Sequence, residues 1–243
     1  MGKYVIMLSH FLILSFSQSL WAQDEDVYKM ELGGALGVDF YMGDANSTPF
    51  RHTSAMGGVI MRRMFNPRMA LKADLAMGHL TGNTKGRYIP ASAGTPVPSG
   101  GLPVSFNFKR NVLDLGAQFE FNFWGFGMKN ESYLGNSRIT PYVLAGAGLT
   151  LVTGGGGGTK VALNLPIGLG VKYKVKKRVN IGAEWTFRFT TTDALDTAKG
   201  WRQLNQPYSI QSSGLKNKDC YSFLMFFVTY EMLPKCKTCH NND

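Results

Sequence analysis

The sequence predicts an all-β protein, an eight-stranded antiparallel up-and-down transmembrane β-barrel, and three observations lead there. Apolar and polar residues alternate with period two through segment after segment, the signature of strands with one wet and one apolar face. The composition is rich in glycine (29 residues) and aromatics (12%) and poor in charge (17%), which suits a closed barrel whose outer face meets lipid. After the first two dozen residues no apolar run is long enough for a membrane-spanning helix, and mean hydropathy is slightly negative at -0.10.

The chain opens with Lys3, an apolar stretch from Tyr4 to Phe16, and then Ser19, Leu20, Trp21 and Ala22. A basic start, an apolar middle and a small residue at a cleavable position read as a secretory signal peptide, residues 1–22, with the cut after Ala22. The apolar stretch falls short of the roughly 20 residues that a spanning helix needs. Residues 23–232 then form one outer-membrane barrel domain, and residues 233–243 a periplasmic cysteine-containing tail. The net charge of +10 raises nucleic-acid binding as a possibility. Its dispersal through alternating strands of an exported chain argues against that reading, so no nucleic-acid partner is expected.

The first strand places Tyr28, Met30, Leu32, Gly34, Leu36, Val38, Phe40 and Met42 on one face, against Lys29, Glu31, Asp39 and Tyr41 on the other. The pattern returns at Met69–Met77 around Lys72 and Asp74, and at Leu113–Phe123 around Asp114, Gln118 and Glu120. It is cleanest at Val161–Val175, opposed by Lys160, Asn164, Lys172 and Lys174, and recurs at Val179–Phe189 around Glu184 and Arg188. Three further segments, Thr53–Phe65, Thr140–Val152 and Asp219–Met232, have strand composition and length without clean alternation. Together they make eight, an even number that returns both ends of the chain to the periplasmic side of a Gram-negative outer membrane, in the OmpA-like plan.

With the amino terminus periplasmic, the inner turns are Asn66–Arg68, Gly125–Arg138 and Lys176–Arg178. The outer loops are Gly43–His52, Thr81–Pro103, Thr153–Thr159 and Thr191–Lys218. Two of the three inner turns are short and two of the four outer loops are long, as outer-membrane barrels require. The second inner turn is the exception and a candidate docking element. The glycine run Gly154–Gly158 reads as a flexible loop tip, because no Gly-Lys-Ser/Thr and no helix follows it.

An eight-stranded barrel has an interior just wide enough for side chains to fill. Lys29, Glu31, Asp39, Lys72, Asp74, Asp114, Glu120, Lys172, Lys174, Glu184 and Arg188 all fall on the inner face. Their mixed signs predict a paired polar plug, with a gated pore as the minority reading. Tyr28, Phe40, Tyr41, Trp124, Tyr173, Trp185, Tyr221 and Tyr230 lie near strand ends and suit an interfacial aromatic girdle. Trp201 and Tyr208 are the better candidates for a ligand contact from the last outer loop.

Cys236-Lys237-Thr238-Cys239-His240 matches the spacing of c-type haem attachment. It lies in the tail with no helix before it and no room for a haem pocket, so no cofactor is expected; a disulfide between Cys236 and Cys239, a metal or an interaction tail remain. Cys220 stands alone at the start of the last strand. His79 sits at the outer end of the third strand, with Asp39, Asp44, Asp193 and Asp196 near other outer ends. Nothing fixes them into a catalytic arrangement, and the chain is read as no enzyme.

Several stretches carry a resemblance: Phe40-Tyr41-Met42-Gly43-Asp44-Ala45-Asn46, Thr140-Pro141-Tyr142, Pro166–Tyr173, Ser213–Asp219 and the Pro-Lys-Cys-Lys-Thr-Cys tail. On these the chain resembles PorG-like outer-membrane barrels associated with the type IX secretion system, over essentially the whole mature length. The resemblance implies a small non-enzymatic barrel that anchors a periplasmic ring of the secretion machine to the outer membrane. The expected docking residues are Lys129, Arg138, Lys176, Lys177, Arg178, Lys235 and Lys237, on a basic periplasmic edge that meets a protein partner or anionic lipid. A narrow channel, or a receptor working through the outer loops, is the alternative.

Overall fold

The computed structural model describes residues 30–42, 49–83, 107–127, 136–155, 158–192, 195 and 219–233. The leader, the cysteine tail, Lys29, Trp201 and Tyr208 lie outside the described residues. The strands are β1 (Met30–Met42), β2 (Ser54–Asn66), β3 (Met69–Asn83), β4 (Asn107–Asn122), β5 (Gly125–Phe126), β6 (Asn136–Ser137), β7 (Ile139–Thr153), β8 (Lys160–Lys176), β9 (Val179–Thr190) and β10 (Cys220–Met232). The eight long strands form a closed barrel in the order β1-β10-β9-β8-β7-β4-β3-β2. Each lies antiparallel beside its neighbours, and β1 with β10 closes the ring. The two-residue strands β5 and β6 pair in parallel within the long second turn. Closure satisfies the backbone of every long strand inside the wall, the condition for a sheet to cross lipid.

The register sets the barrel's shape. A path across directly paired residues from Phe40 runs through Ser222, Phe187, Ile167, Ala145, Phe119, Leu71 and Arg63. It returns to β1 at Met30, ten residues from its start. With ordinary strand rise and spacing, that stagger tilts the strands by about 40° from the barrel axis. Met30 and Met232 are paired at one end of the barrel, called here the terminal end; the opposite end is the loop end.

Period-two alternation survives in the strands as an inside and an outside. On β8, Val161, Leu163, Leu165, Ile167, Leu169, Val171, Tyr173 and Val175 are exposed while Asn164, Lys172 and Lys174 are buried. Leu113, Leu115 and Phe119 stand outside β4, with Asp114, Gln118 and Glu120 inside. The result is a belt of apolar side chains around a charged interior, the inverse of a water-soluble barrel and the arrangement of a membrane-spanning one.

Three members of the expected aromatic girdle sit elsewhere. Tyr41 and Tyr221 are fully buried, because they share the inward parity of Asp39 and Phe223. Tyr41 donates a hydrogen bond to Asp219, and Tyr221 to Asp114. Phe40 does point outward, yet it is also fully buried. The end of the first loop folds down the outer wall to cover it: Phe50, in the left-handed region at φ 60°, sets its ring 4.7 Å from Phe40 and 5.7 Å from Trp185. Trp185 Nε1 donates to Ser222 Oγ at 2.8 Å, so the small polar spot between the rings is both covered and satisfied. Trp124, Tyr173 and Tyr230 remain exposed at the terminal end, where an interfacial girdle belongs.

Candidate functional site

The interior is built around two arginines. Arg62, on β2, donates from Nε to Glu120 Oε1 at 2.7 Å and from Nη1 to Glu31 Oε2 at 3.2 Å, and its Nη2 lies 3.8 Å from Glu184. Its guanidinium lies over the Phe227 ring, 4.3 Å from the centroid. Lys172 completes Glu120 at 2.9 Å. Tyr142 donates to Glu184 at 2.7 Å, and Lys72 also donates to Glu184. All of these side chains are buried, and Arg62, Glu31, Glu120 and Glu184 are at most 1% exposed.

Arg188, on β9, is the second centre. It donates from Nη2 to Asp74 and from Nε to Asp114, both at 2.8 Å, and lies 4.4 Å over the Phe223 ring. Gln118 donates to Asp74 at 2.9 Å, and Asn164 to Asp114 at 2.7 Å. Lys72 Nζ, 3.8 Å from Asp74, links the two centres. Toward the terminal end Lys174 and Asn180 both donate to Glu231, at 2.7 and 2.8 Å. In a low-dielectric interior a charge is tolerated only when paired and hydrogen-bonded. The alternation of sign along these contacts meets that condition.

A buried apolar side chain sits at each mouth, Phe126 at the terminal end and Leu195 at the loop end. At the terminal end the long second turn folds inward: Gly125, Phe126 and Gly127 are buried, and Phe126 N–H donates to Pro67 O at 3.0 Å. The Phe126 ring lies 5.4 Å from Lys172 Nζ and 5.5 Å from Lys174 Nζ. These three residues of the candidate docking turn therefore face the barrel interior. The inner lysines need an aromatic face beneath them, and this turn supplies it. At the loop end Leu195 is fully buried. Its N–H donates to Asp219 Oδ2 at 2.8 Å, and its carbonyl lies 3.5 Å from Arg110 Nη1. Arg110 also donates to the carbonyl of Gly158, tying two loops to one inward side chain.

Of the residues expected inside, Glu31, Asp39, Lys72, Asp74, Asp114, Glu120, Lys172, Lys174, Glu184 and Arg188 are all buried in the lumen. Asp39 accepts from the His79 backbone N–H at 2.8 Å. Arg62, Arg110, Tyr142, Tyr221, Phe223 and Phe227 complete the interior and escaped the sequence reading. The signal for Arg62 was a weak alternation of Met56, Gly58, Ile60 and Arg62 against Ala55, Val59, Met61 and Arg63. The His79 ring faces outward and shares a 2.8 Å hydrogen bond with Asn111 Oδ1. Cys220 is buried with a free thiol. Among the described residues no group of three or more His, Cys, Asp and Glu is placed to hold a metal ion.

The exterior differs from the mixed-sign lumen in carrying charge of one sign among the described residues. Each described carboxylate, Glu31, Asp39, Asp74, Asp114, Glu120, Glu184, Asp219 and Glu231, is buried. Every exposed charge among the described residues is a cation. Arg51, Lys109 and Lys160 are at the loop end. Arg63, Arg68, Arg138, Lys176, Lys177 and Arg178 cluster at the terminal end. Of the docking residues expected from sequence, Arg138, Lys176, Lys177 and Arg178 are therefore exposed on one rim; Lys129, Lys235, Lys237, Cys236 and Cys239 lie outside the described residues. Such a rim attracts anions at ranges set by ionic strength.

Solved structures similar to this one include three bacterial surface barrels. Neisserial surface protein A matches at 13% identity and a TM-score of 0.48, over 86% of this chain and 100% of its own. The N-terminal β-barrel domain of Pseudomonas aeruginosa OprF matches at 14% and 0.43, over 85% and 98%. Ail of Yersinia pestis, in complex with the heparin analogue sucrose octasulfate, matches at 12% and 0.40, over 83% and 96%. No curated protein matches the chain. A family model described as a domain of unknown function, DUF6089, matches residues 6–241, nearly the full length, and the chain belongs to that family.

Proposed function

We propose that this barrel is a non-enzymatic docking component of a Gram-negative outer membrane, with both termini in the periplasm. Its basic terminal rim meets an acidic periplasmic protein. The observation that carries this reading is the separation of charge: every described carboxylate is buried, and every exposed charge among the described residues is a cation, six of them on one rim. Interactions of this kind are steered by rim charge and weaken with salt. The filled lumen, with Phe126 and Leu195 buried at its mouths, supports a wall-and-rim role over a channel. The resemblance to PorG-like barrels names the partner class, a ring component of a type IX-like secretion machine.

Lys176 and Lys177 are the residues to test, since they occupy the tip of the β8–β9 turn and are exposed. Mild crosslinking and pulldown from intact envelopes is expected to recover a periplasmic partner with the native barrel, in a salt-sensitive manner. K176E/K177E is expected to lose most of it at unchanged barrel abundance. Unchanged recovery would count against the proposal.

A further inference from the structure

One cation stands inside the apolar wall. On the outward face of β2 the side chains run Val59, Met61, Arg63 and Phe65, all exposed. Arg63 is directly opposite Met30 on β1 and Leu71 on β3. It therefore has an apolar side chain before it, beyond it and on either side, with Met61 44%, Phe65 52% and Leu71 44% exposed. The other exposed cations among the described residues are placed differently. Lys109 has Asn107 and Asn111 as its outward neighbours on β4, Lys160 and Lys176 are the end residues of β8, and the rest lie in turns and loops outside the long strands. Every described carboxylate is buried behind the wall, so none among them answers the charge of Arg63.

A cation on the lipid face is costly at the bilayer midplane and cheap near the interface, where its head can extend to the phosphates. Phe65 is the last outward residue before the β2–β3 turn, so Arg63 sits one outward position inside the terminal edge of the belt. Beside it the wall is hollowed. A groove of about 820 Å³ crosses β8, β9, β10 and β1 and reaches β2, with an almost wholly apolar lining. It exists because Ala183 lies between Val171 and Phe226, and Gly34 between Val228 and Val59, at outward positions where the paired strands carry larger side chains. From Gly34–Val59 the outward pairs of β1 and β2 continue as Leu32–Met61 and then Met30–Arg63. Four residues of strand, about 13 Å, thus separate the groove's edge from the cation, along an unbroken apolar strip. Strip, groove and cation match the two halves of one molecule class.

We propose that Arg63 and this groove form a binding site for a single anionic phospholipid, its phosphate on the Arg63 guanidinium and an acyl chain laid past Leu32 and Met61 into the groove at Gly34. The site depends on the barrel crossing a membrane and not on the identity of any protein partner. Arginine suits the role because its planar fork engages phosphate bidentately and is more weakly hydrated than an ammonium, so apolar neighbours cost it less.

The test uses the mature barrel folded into vesicles of mixed phosphatidylcholine and phosphatidylglycerol, extracted with mild detergent and examined by native mass spectrometry. The native barrel is expected to retain one phosphatidylglycerol in preference to phosphatidylcholine. Arg63→Gln is expected to lower that retention about tenfold, as loss of one charge-assisted contact implies. Gly34→Leu fills the groove's edge at low structural cost, since a Cβ at Gly34 meets only Gly58 O, at 3.9 Å; it is expected to lower retention of both lipids. Arg138→Gln removes a rim cation just before β7 and is expected to change nothing. A preference that survives Arg63→Gln, or that Arg138→Gln lowers as much, overturns the site. So does retention untouched by Gly34→Leu, or native barrel that carries no preferred lipid. Urea unfolding gives an independent reading: in phosphatidylcholine alone Arg63→Met is expected to outlast the native barrel, and to lose that advantage when phosphatidylglycerol is added. A variant equal to native in both vesicles overturns the site as well. K176E/K177E leaves Arg63 in place, so it is expected to retain the lipid even where it loses a protein partner.

Discussion

Replacing Arg62 by methionine is expected to destabilise the barrel by about 3–5 kcal/mol, the range for breaking a buried ion pair from one side. Arg62 is fully buried, and its three carboxylate neighbours are Glu31, Glu120 and Glu184. Methionine fills much of the volume and still packs on Phe227, so the loss reports charge more than cavity. Glu31 feels the change most, because its other hydrogen bond comes from the neutral hydroxyl of Thr229 at 3.0 Å. Glu120 keeps Lys172, and Glu184 keeps Lys72 and Tyr142. The double variant Arg62→Met/Glu31→Gln is therefore expected to regain part of the loss. Reversible urea unfolding in lipid vesicles measures both. A single variant within about 1 kcal/mol of native, the scale of a surface pair, would show that the interior is hydrated and the network weak.

The second large effect is expected at Gly37, on the inward face of β1. A Cβ there would lie 2.1 Å from Leu224 O and 2.6 Å from Met225 Cα. Both are backbone atoms of β10, the strand that closes the ring onto β1, so no side chain can rotate away. Gly37→Val must push the closing strand outward or slide it, and small-to-large changes in packed interiors cost about 1–3 kcal/mol even when the backbone can adapt. At the closing seam the expected result is a failure to complete the barrel, read as loss of the compact, heat-sensitive band on unboiled gels. Gly34→Leu, three residues away on the outward face, is expected to fold normally. The contrast separates the direction of the side chain from the identity of the strand.

Much of this architecture was legible from the sequence, for a physical reason. Where lipid bounds one face and paired charge the other, as on β4 and β8, hydrophobicity must alternate, and the register follows. The strands that resisted reading are those whose inner face is also apolar. On β10 the run Phe223–Val228 looks two-sided because Phe223 and Phe227 point inward, as the platforms on which Arg188 and Arg62 lie. A cation–π partner and a lipid-facing side chain have the same hydrophobicity. On β2 the adjacent pair Arg62-Arg63 hid the phase: one arginine is at the centre of the interior and the other is on the outer wall. Tyr41 and Tyr221 went to the girdle for a similar reason, since an amphipathic ring fits an interface and a polar lumen equally well. The two mouths were out of reach. Phe126 and Leu195 owe their burial to loops that return into the mouths, and no periodicity announces a return.

In the proposed reading it is the rim, and not the interior, that meets a partner. Glu31, Asp74, Asp114, Glu120, Glu184 and Glu231 each hold a lysine or arginine, and removing either party is costly, so this part of the interior is committed to structure. The exposed cations among the described residues lie outside that network, at the loop end and on the terminal rim.

The central claim is that the lumen is solid, and conductance tests it most directly. Purified, folded barrel incorporated into planar bilayers is expected to show no unitary current above background, because the Arg62 and Arg188 networks fill the middle while Phe126 and Leu195 close the ends. Reproducible conductance steps that disappear when Arg62 or Arg188 is substituted would contradict it, and would make those networks the lining of a pore.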